Sequence, residues 1–128
     1  MPLITGVDHD HRTVGVVAIG TVTASDVRDH WLHRRREQSL RYPELADSRG
    51  AAIPSTADDI QQIAELLREM SREGPLGSIA IIVSSDANLD LMRGLEALVE
   101  GVCELKTFRD EESARAWLAA ASAESSLK

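Results

Sequence analysis

Ile79-Ala80-Ile81-Ile82-Val83 runs straight into Ser84-Ser85-Asp86, and the reading of this stretch decides the fold. Residues that are apolar at every position suit a strand covered on both faces, as a central strand of a parallel sheet is. Ser85-Asp86 then opens a helix whose Leu91, Leu95 and Leu98 face inward before Gly101 ends it. A strand leading directly into a helix is the repeating unit of α/β proteins. Upstream, Thr56-Ala57-Asp58-Asp59 has the form of a capping box, and Ile60, Ile63, Leu67 and Met70 make one apolar stripe that stops at Gly74-Pro75. Downstream, Cys103, Leu105 and Thr107 alternate with Glu104 and Lys106, the pattern of an edge strand with one wet face. Asp110-Glu111-Glu112 puts acid at the positive end of a last helix, whose Ala114, Trp117, Leu118 and Ala121 cover the sheet.

The N-terminal half completes the pattern. Leu3 to Val7 and Thr13 to Ile19 are β-branched and apolar, and Asp8-His9-Asp10-His11-Arg12 between them reads as a hairpin connection, so the two strands are expected to be antiparallel. Thr23-Ala24-Ser25-Asp26 starts a helix predicted over Ala24 to Gln38, with Val27, Trp31 and Leu32 at helical spacing. Pro43 forces an extended lead into a short strand over Glu44 to Ser48. The order ββαβαβαβα is that of an α/β protein: a single-domain mixed sheet of about five strands with an antiparallel N-terminal strand. One domain over residues 1–121 is expected, followed by a small, polar tail, 122–128, expected to fray.

Composition narrows the function. A chain of 128 residues buries about two-thirds of its unfolded surface and needs no staple. The lone Cys103 cannot make an internal disulfide and no charged-then-apolar leader precedes Leu3, so a reducing cytoplasm is the expectation. The longest apolar run falls far short of the roughly 20 residues of a membrane helix. A net charge of −7 with one Phe, one Tyr and two Trp disfavours nucleic acid and anionic lipid as partners.

Right-handed crossovers bring Gly20 to Thr23, Asp47 to Gly50, Ser84 to Asp86 and Arg109-Asp110 to one rim. Polar groups just beyond strand ends are where α/β proteins place their sites, so Asp47, Ser48, Arg49, Ser85, Asp86 and Arg109 form the candidate rim site. Asp47-Ser48-Arg49-Gly50 itself reads as a polar turn that closes a strand.

Gly20-Thr21-Val22-Thr23-Ala24-Ser25-Asp26, Leu45 to Gly50, Ile79 to Val83, and Phe108-Arg109-Asp110-Glu111-Glu112-Ser113-Ala114-Arg115-Ala116-Trp117-Leu118 occur in one order. Together this set, spanning roughly Val14 to Ala120, resembles the small SpoIIAA-like (STAS-related) bacterial proteins. The resemblance implies a fold similar to those of anti-sigma-factor antagonists and CRAL-TRIO lipid carriers, and a non-enzymatic role. In the antagonists a Ser after an Asp, in an Asp-Ser-Ser-Gly context that opens a helix, is phosphorylated to block the partner. By this resemblance Ser48 is the candidate phosphosite. Arg49 stands in place of the second Ser, and Ala51-Ala52-Ile53-Pro54-Ser55 delays the next helix to about Thr56. A phosphate at Ser48 would add about −1.5 to −2 charges beside Asp47, which Arg49 offsets in part.

Other constellations are incomplete. Asp47 with Ser84 or Ser85 and Lys106 lacks the acidic pair that a receiver domain uses for Mg²⁺, because the first parallel strand ends in Ala18-Ile19-Gly20. Asp26, His30 and His33 share one helix face, with His9 or His11 as further donors; two solvated imidazoles on an amphipathic helix account for them, and no metal is assigned. Arg34-Arg35-Arg36, with Arg28 and Arg41, reads as a solvated helix face or as a patch for an acidic partner. Trp31 and Trp117 read as core anchors. Cys103 sits on an apolar alternation where thiols are inert, and neither a Gly-x-Ser-x-Gly elbow nor a phosphate loop occurs. No catalytic residue and no cofactor is assigned.

Two functions remain. The first is a protein-interaction or regulatory module that self-associates as a homodimer or binds another protein. The second is a carrier of a small or lipid-like ligand, which requires an apolar pocket of about 300 Å³ or more.

Overall fold

The computed structural model describes residues 2–53 and 56–126, with side chains to residue 121. Its elements are β1 (Leu3–Asp8), β2 (Thr13–Thr21), α1 (Ala24–Arg36), β3 (Glu44–Ala52), α2 (Ala57–Ser71), β4 (Ile79–Ile82), α3 (Asp86–Leu98), β5 (Leu105–Phe108) and α4 (Glu111–Ser126). The sheet order follows the chain, β1-β2-β3-β4-β5. β1 pairs antiparallel with β2, Leu3 opposite Ala18, and all later pairs are parallel. The mixed sheet and its antiparallel first strand agree with the sequence reading.

β4 uses both of its faces, as its uniform apolarity requires. Ile79 and Val83 join Trp31, Ile63, Leu67, Met70 and Leu95 in the main core under α1, α2 and α3. Ala80 and Ile82 pack the other way, against Ala114, with Leu45, Phe108, Trp117 and Leu118 around them under α4. Helix starts follow their caps. Thr23 accepts from the Asp26 amide while the Asp26 carboxylate accepts from the Thr23 amide, a complete capping box; Thr56 and Ser85 accept from Asp59 and Asn88. α1 ends before Gln38 because Gln38 takes the left-handed conformation (φ 55°). The Gln38 amide bonds the Arg35 carbonyl and the Ser39 amide bonds that of Arg34, which closes the helix as a Schellman motif.

Some expected boundaries move. β2 continues to Thr21 through Gly20, whose φ of 74° only glycine adopts without strain. β3 continues to Ala52, so Asp47-Ser48-Arg49-Gly50 is strand rather than the turn that closes it. Pairing with β2 sustains it, since Ile19, Gly20 and Thr21 lie opposite Gly50, Ala51 and Ala52. Of the segment expected to delay α2, Pro54 and Ser55 lie outside the described residues. Cys103 precedes β5 rather than alternating within it. α4 extends past Ala121 to Ser126, and Leu127 and Lys128 of the expected tail lie outside the described residues.

Candidate functional site

Two ion-pair groups lie where β3 runs on past the end of β4. Arg49 donates from Nε to Asp47 Oδ1 (2.9 Å) and from Nη2 to Asp47 Oδ2 (2.7 Å), and Nη2 also reaches Glu111 (3.4 Å). These bonds hold the Asp47 carboxyl below its usual value. Glu111 also accepts from Arg115 (2.7 Å). In the second group Arg109 pairs with Asp86 and donates to the Ser84 carbonyl (3.2 Å). Ser84 links the groups, because its hydroxyl donates to the Arg49 carbonyl (2.9 Å). The Ser85 hydroxyl is occupied in capping α3. Asp47, Arg49, Asp86 and Arg109 are thus brought to one rim, where solvent and salt screen exposed pairs of this kind.

Ser48 does not share that rim. Val17 pairs with Asp47 and Ile19 with Gly50, so Ala18 alone faces both Ser48 and Arg49, a bulge of one residue in β3. The bulge sends Arg49 outward and keeps Ser48 inward at 7 % exposure, on a cavity wall with Val16, Ala18 and Trp31. This hydroxyl is not presented at the surface, as a phosphorylated side chain has to be. A phosphate there would place its charge against an apolar wall.

A buried polar cluster lies at the other end of the same face of β3. Glu44, the first residue of β3, accepts from His30 Nε2 (2.5 Å) and from Arg34 Nη1 (3.3 Å). Arg34 Nη2 also donates to the carbonyls of Ser39 (2.5 Å) and Tyr42 (2.7 Å), and the guanidinium lies 4.4 Å from the Trp31 ring centroid. His30 Nδ1 lies 2.9 Å from Thr5 Oγ1 on β1. Arg34 is 0 % exposed, and His30 is also buried. The solvated helix face expected for His30 and Arg34 is therefore wrong. Both project from α1 on the side of Trp31, where helical spacing turns them into the core, and Glu44 makes their burial tolerable. The hydroxyl–imidazole–carboxylate order matches a catalytic relay, but here the carboxylate is shared with a buried guanidinium and ties α1 to β1 and β3.

Sequence reading missed Glu44 and Thr5. The signal was the apolar stripe of α1, which passes through His30 and Arg34 and so demands a buried counter-charge. With His30 turned to Glu44 and Asp26 held in its cap, the Asp26-His30-His33 face does not assemble. Among the described residues no group of three His, Cys, Asp or Glu side chains is placed to hold a metal ion. Burial, aided by Glu104, pushes the Cys103 thiol up to about 11, which leaves little reactive thiolate at neutral pH.

Burial alone would push the Glu44 carboxyl up. The charge and hydrogen bond of His30, then those of Arg34, outweigh it and hold the group below its ordinary 4.5. A lowered folded-state value means that this contribution is fully present above the unfolded value and is lost as pH falls through the folded one. Urea unfolding at a series of pH values should show stability falling below about pH 4.5. In Glu44→Gln that part of the acid slope should be missing.

The cavity beside Ser48 and Glu44 measures about 100 Å³ and is lined mainly by apolar side chains, Val16, Trp31 and Leu67 among them. Two larger clefts are open and mixed in charge. One, about 710 Å³, lies between β1 and α1 near Asp26, Asp29, His33 and Arg36. The other, about 890 Å³, lies at the hairpin end of the sheet and is lined by Arg12, Arg35, Arg41 and Glu73.

The outer sheet face is covered unevenly. Among the described residues α4 touches β3, β4 and β5 but neither β1 nor β2. Ile4 (59 %), Val17 (44 %) and Ile19 (56 %) are the large exposed apolar side chains among the described residues. Ile4 and Val17 are direct cross-strand partners, and Ile19 follows Val17 by two, so all three share this face. The opposite side chains of β2, Val14, Val16 and Ala18, are buried. Gly6 and Gly15 also face each other across the pair, and a Cβ on either would meet nothing within 4 Å.

The family model described as SpoIIAA-like matches residues 13–119. Among solved structures, the chain is similar to an uncharacterised protein of the DUF3478 family with a SpoIIAA-like fold from Shewanella loihica. The TM-score is 0.62 at 18 % identity, over 91 % of this chain and 93 % of that one. No curated protein matches the chain.

Proposed function

Because the chain belongs to the SpoIIAA-like family, matched over residues 13–119, we propose that it is a non-enzymatic regulatory module that binds protein, a second copy of itself or another chain. The observation that supports this reading is the uncovered outer face of β1 and β2. Isolated exposed apolar side chains are ordinary on a soluble surface; three that adjoin on one sheet face support reading that face as a contact site. Fully burying such a side chain is worth about 1.5–3 kcal/mol, so covering three that are half exposed returns about half of that for each.

A carrier fits less well. The most apolar cavity, about 100 Å³, is well short of the roughly 300–1,000 Å³ that small-molecule sites occupy, and the larger clefts carry charged side chains of both signs along their walls. At the rim Arg49 and Arg109 are paired with carboxylates, which fits a structural use of these side chains. No helix among the described residues is long and apolar enough to cross a membrane.

Affinity capture after cross-linking in cells, with the native chain and a Val17→Lys, Ile19→Lys variant as bait, tests the reading. The native chain should retain a protein, itself or another, that the variant loses while keeping its circular dichroism spectrum. Equal retention by both baits would remove this face from the function.

A further inference from the structure

The outer layer of the molecule is half filled. A five-stranded sheet is roughly 24 Å across at about 4.8 Å per strand, which gives room for two helices at their usual 8–10 Å separation. α4 takes the half over β3, β4 and β5, so the space over β1 and β2 is one helix wide. We propose that α4 of a second copy fills it. In the resulting two-fold pair each α4 lies between its own β3–β5 and the partner subunit's β1–β2. This proposal rests on the reading of the β1–β2 face as the contact surface, and it names the occupant.

Both halves of such a contact are present on one chain. The inner side of α4 is used at home, where Ala114, Trp117 and Leu118 meet the sheet. Its outer side carries Ala116, Ala119 and Ala120, all exposed, and small residues let a helix backbone approach a surface closely. The receiving face offers Ile4, Val17 and Ile19 as knobs, and the facing glycines Gly6 and Gly15 as a depression between the strands. Glu112 stands exposed on the same stripe as Ala116 and Ala119, one turn before Ala116, with the exposed Arg115 beside it, so the polar groups lie at the N-terminal end of the contact. A surface that carries both the helix and the vacancy is self-complementary, the condition for a closed two-fold pair.

The area is sufficient. α4 has 16 residues, so it is roughly 24 Å long and 10 Å wide and covers about 240 Å² of whatever it lies on. Two reciprocal contacts, counted on both surfaces, remove roughly 1,000 Å² from water, the size at which specific interfaces begin. Contact between the two α4 helices adds to this. Each chain carries −7, so the copies repel at long range, and association should strengthen as salt screens them.

Sedimentation velocity of the full chain, from a few micromolar to several hundred micromolar, should show the mass rising from 14.0 kDa toward twice that value, more readily at 0.5 M than at 0.05 M salt. Val17→Lys, Ala116→Arg and Gly15→Thr should each weaken self-association at least tenfold. Gly15→Thr is the control for folding, because its added atoms enter open space and threonine favours strands. In a Cys103→Ser background, a short bis-maleimide should join Val17→Cys chains to Ala116→Cys chains in a mixture, and should not join Val17→Cys chains to each other. A mass of 14.0 kDa throughout, or a dimer untouched by Ala116→Arg, overturns the exchange of α4. If that dimer is also untouched by Val17→Lys, the reading of the face falls with it. A chain that stays monomeric, yet loses a different captured protein on Val17→Lys, keeps the face and removes the second copy.

Discussion

Arg34→Met should lower the free energy of unfolding by about 3–5 kcal/mol, the usual loss when one partner of a buried ion pair is removed, read from urea denaturation at neutral pH. Arg34 is completely buried and contacts Glu44 and the carbonyls of Ser39 and Tyr42. Without it, Glu44 keeps its charge with only His30 beside it, and two carbonyls lose a donor in a place closed to water. Arg34→Lys should fall between the two, because one ammonium cannot reproduce a planar fork that reaches three acceptors. Adding Glu44→Met to Arg34→Met should recover the part of the loss that comes from an unpaired buried charge, while the part that comes from the Ser39 and Tyr42 carbonyls remains. A double variant no better than Arg34→Met alone would mean that the cluster does not act as a coupled unit.

Gly77→Ala should be the next most damaging single change. A Cβ at this position would stand 2.1 Å from the Tyr42 carbonyl oxygen, 2.4 Å from its carbon and 2.6 Å from the Arg41 oxygen. All three are backbone atoms, and the segment that carries them is held from both sides. The Gly77 amide donates to the Leu40 carbonyl (2.9 Å), and Arg34 grips the Tyr42 oxygen. The methyl group therefore has to displace the lead into β3 and with it the clamp on Glu44. Overpacking of this kind costs about 1–3 kcal/mol or more, so the melting temperature should drop by roughly 10 °C. Gly15→Ala, with open space around its Cβ, should leave it nearly unchanged.

The sheet order was legible because its main signals are local. Ile79 to Val83 announces a strand buried on both faces. Thr23 with Asp26, and Thr56 with Asp59, mark where helices begin, since a cap needs only a few neighbouring residues. The bulge at Ser48-Arg49 was not legible, because Asp, Ser and Gly also compose turns, and only pairing with β2 decides between the two. The cluster of His30, Arg34 and Glu44 was hidden for a similar reason. A row of arginines on a helix suggests solvent until a carboxylate distant in sequence is seen to face it. The uncovered face was half visible, since β2 carries Val16, Val17, Ala18 and Ile19 in succession and so is apolar on both sides. What the sequence left open was that, among the described residues, no helix lies over one of them.

That uncovered face is the centre of the account, and its occupancy can be measured directly. Hydroxyl-radical footprinting of Ile4, Val17 and Ile19, in cells at native expression and on the purified chain at high dilution, compares the face with and without its partner. Strong labelling on the dilute chain and protection of all three side chains in the cell is the predicted result. Equal labelling in the two conditions would contradict it.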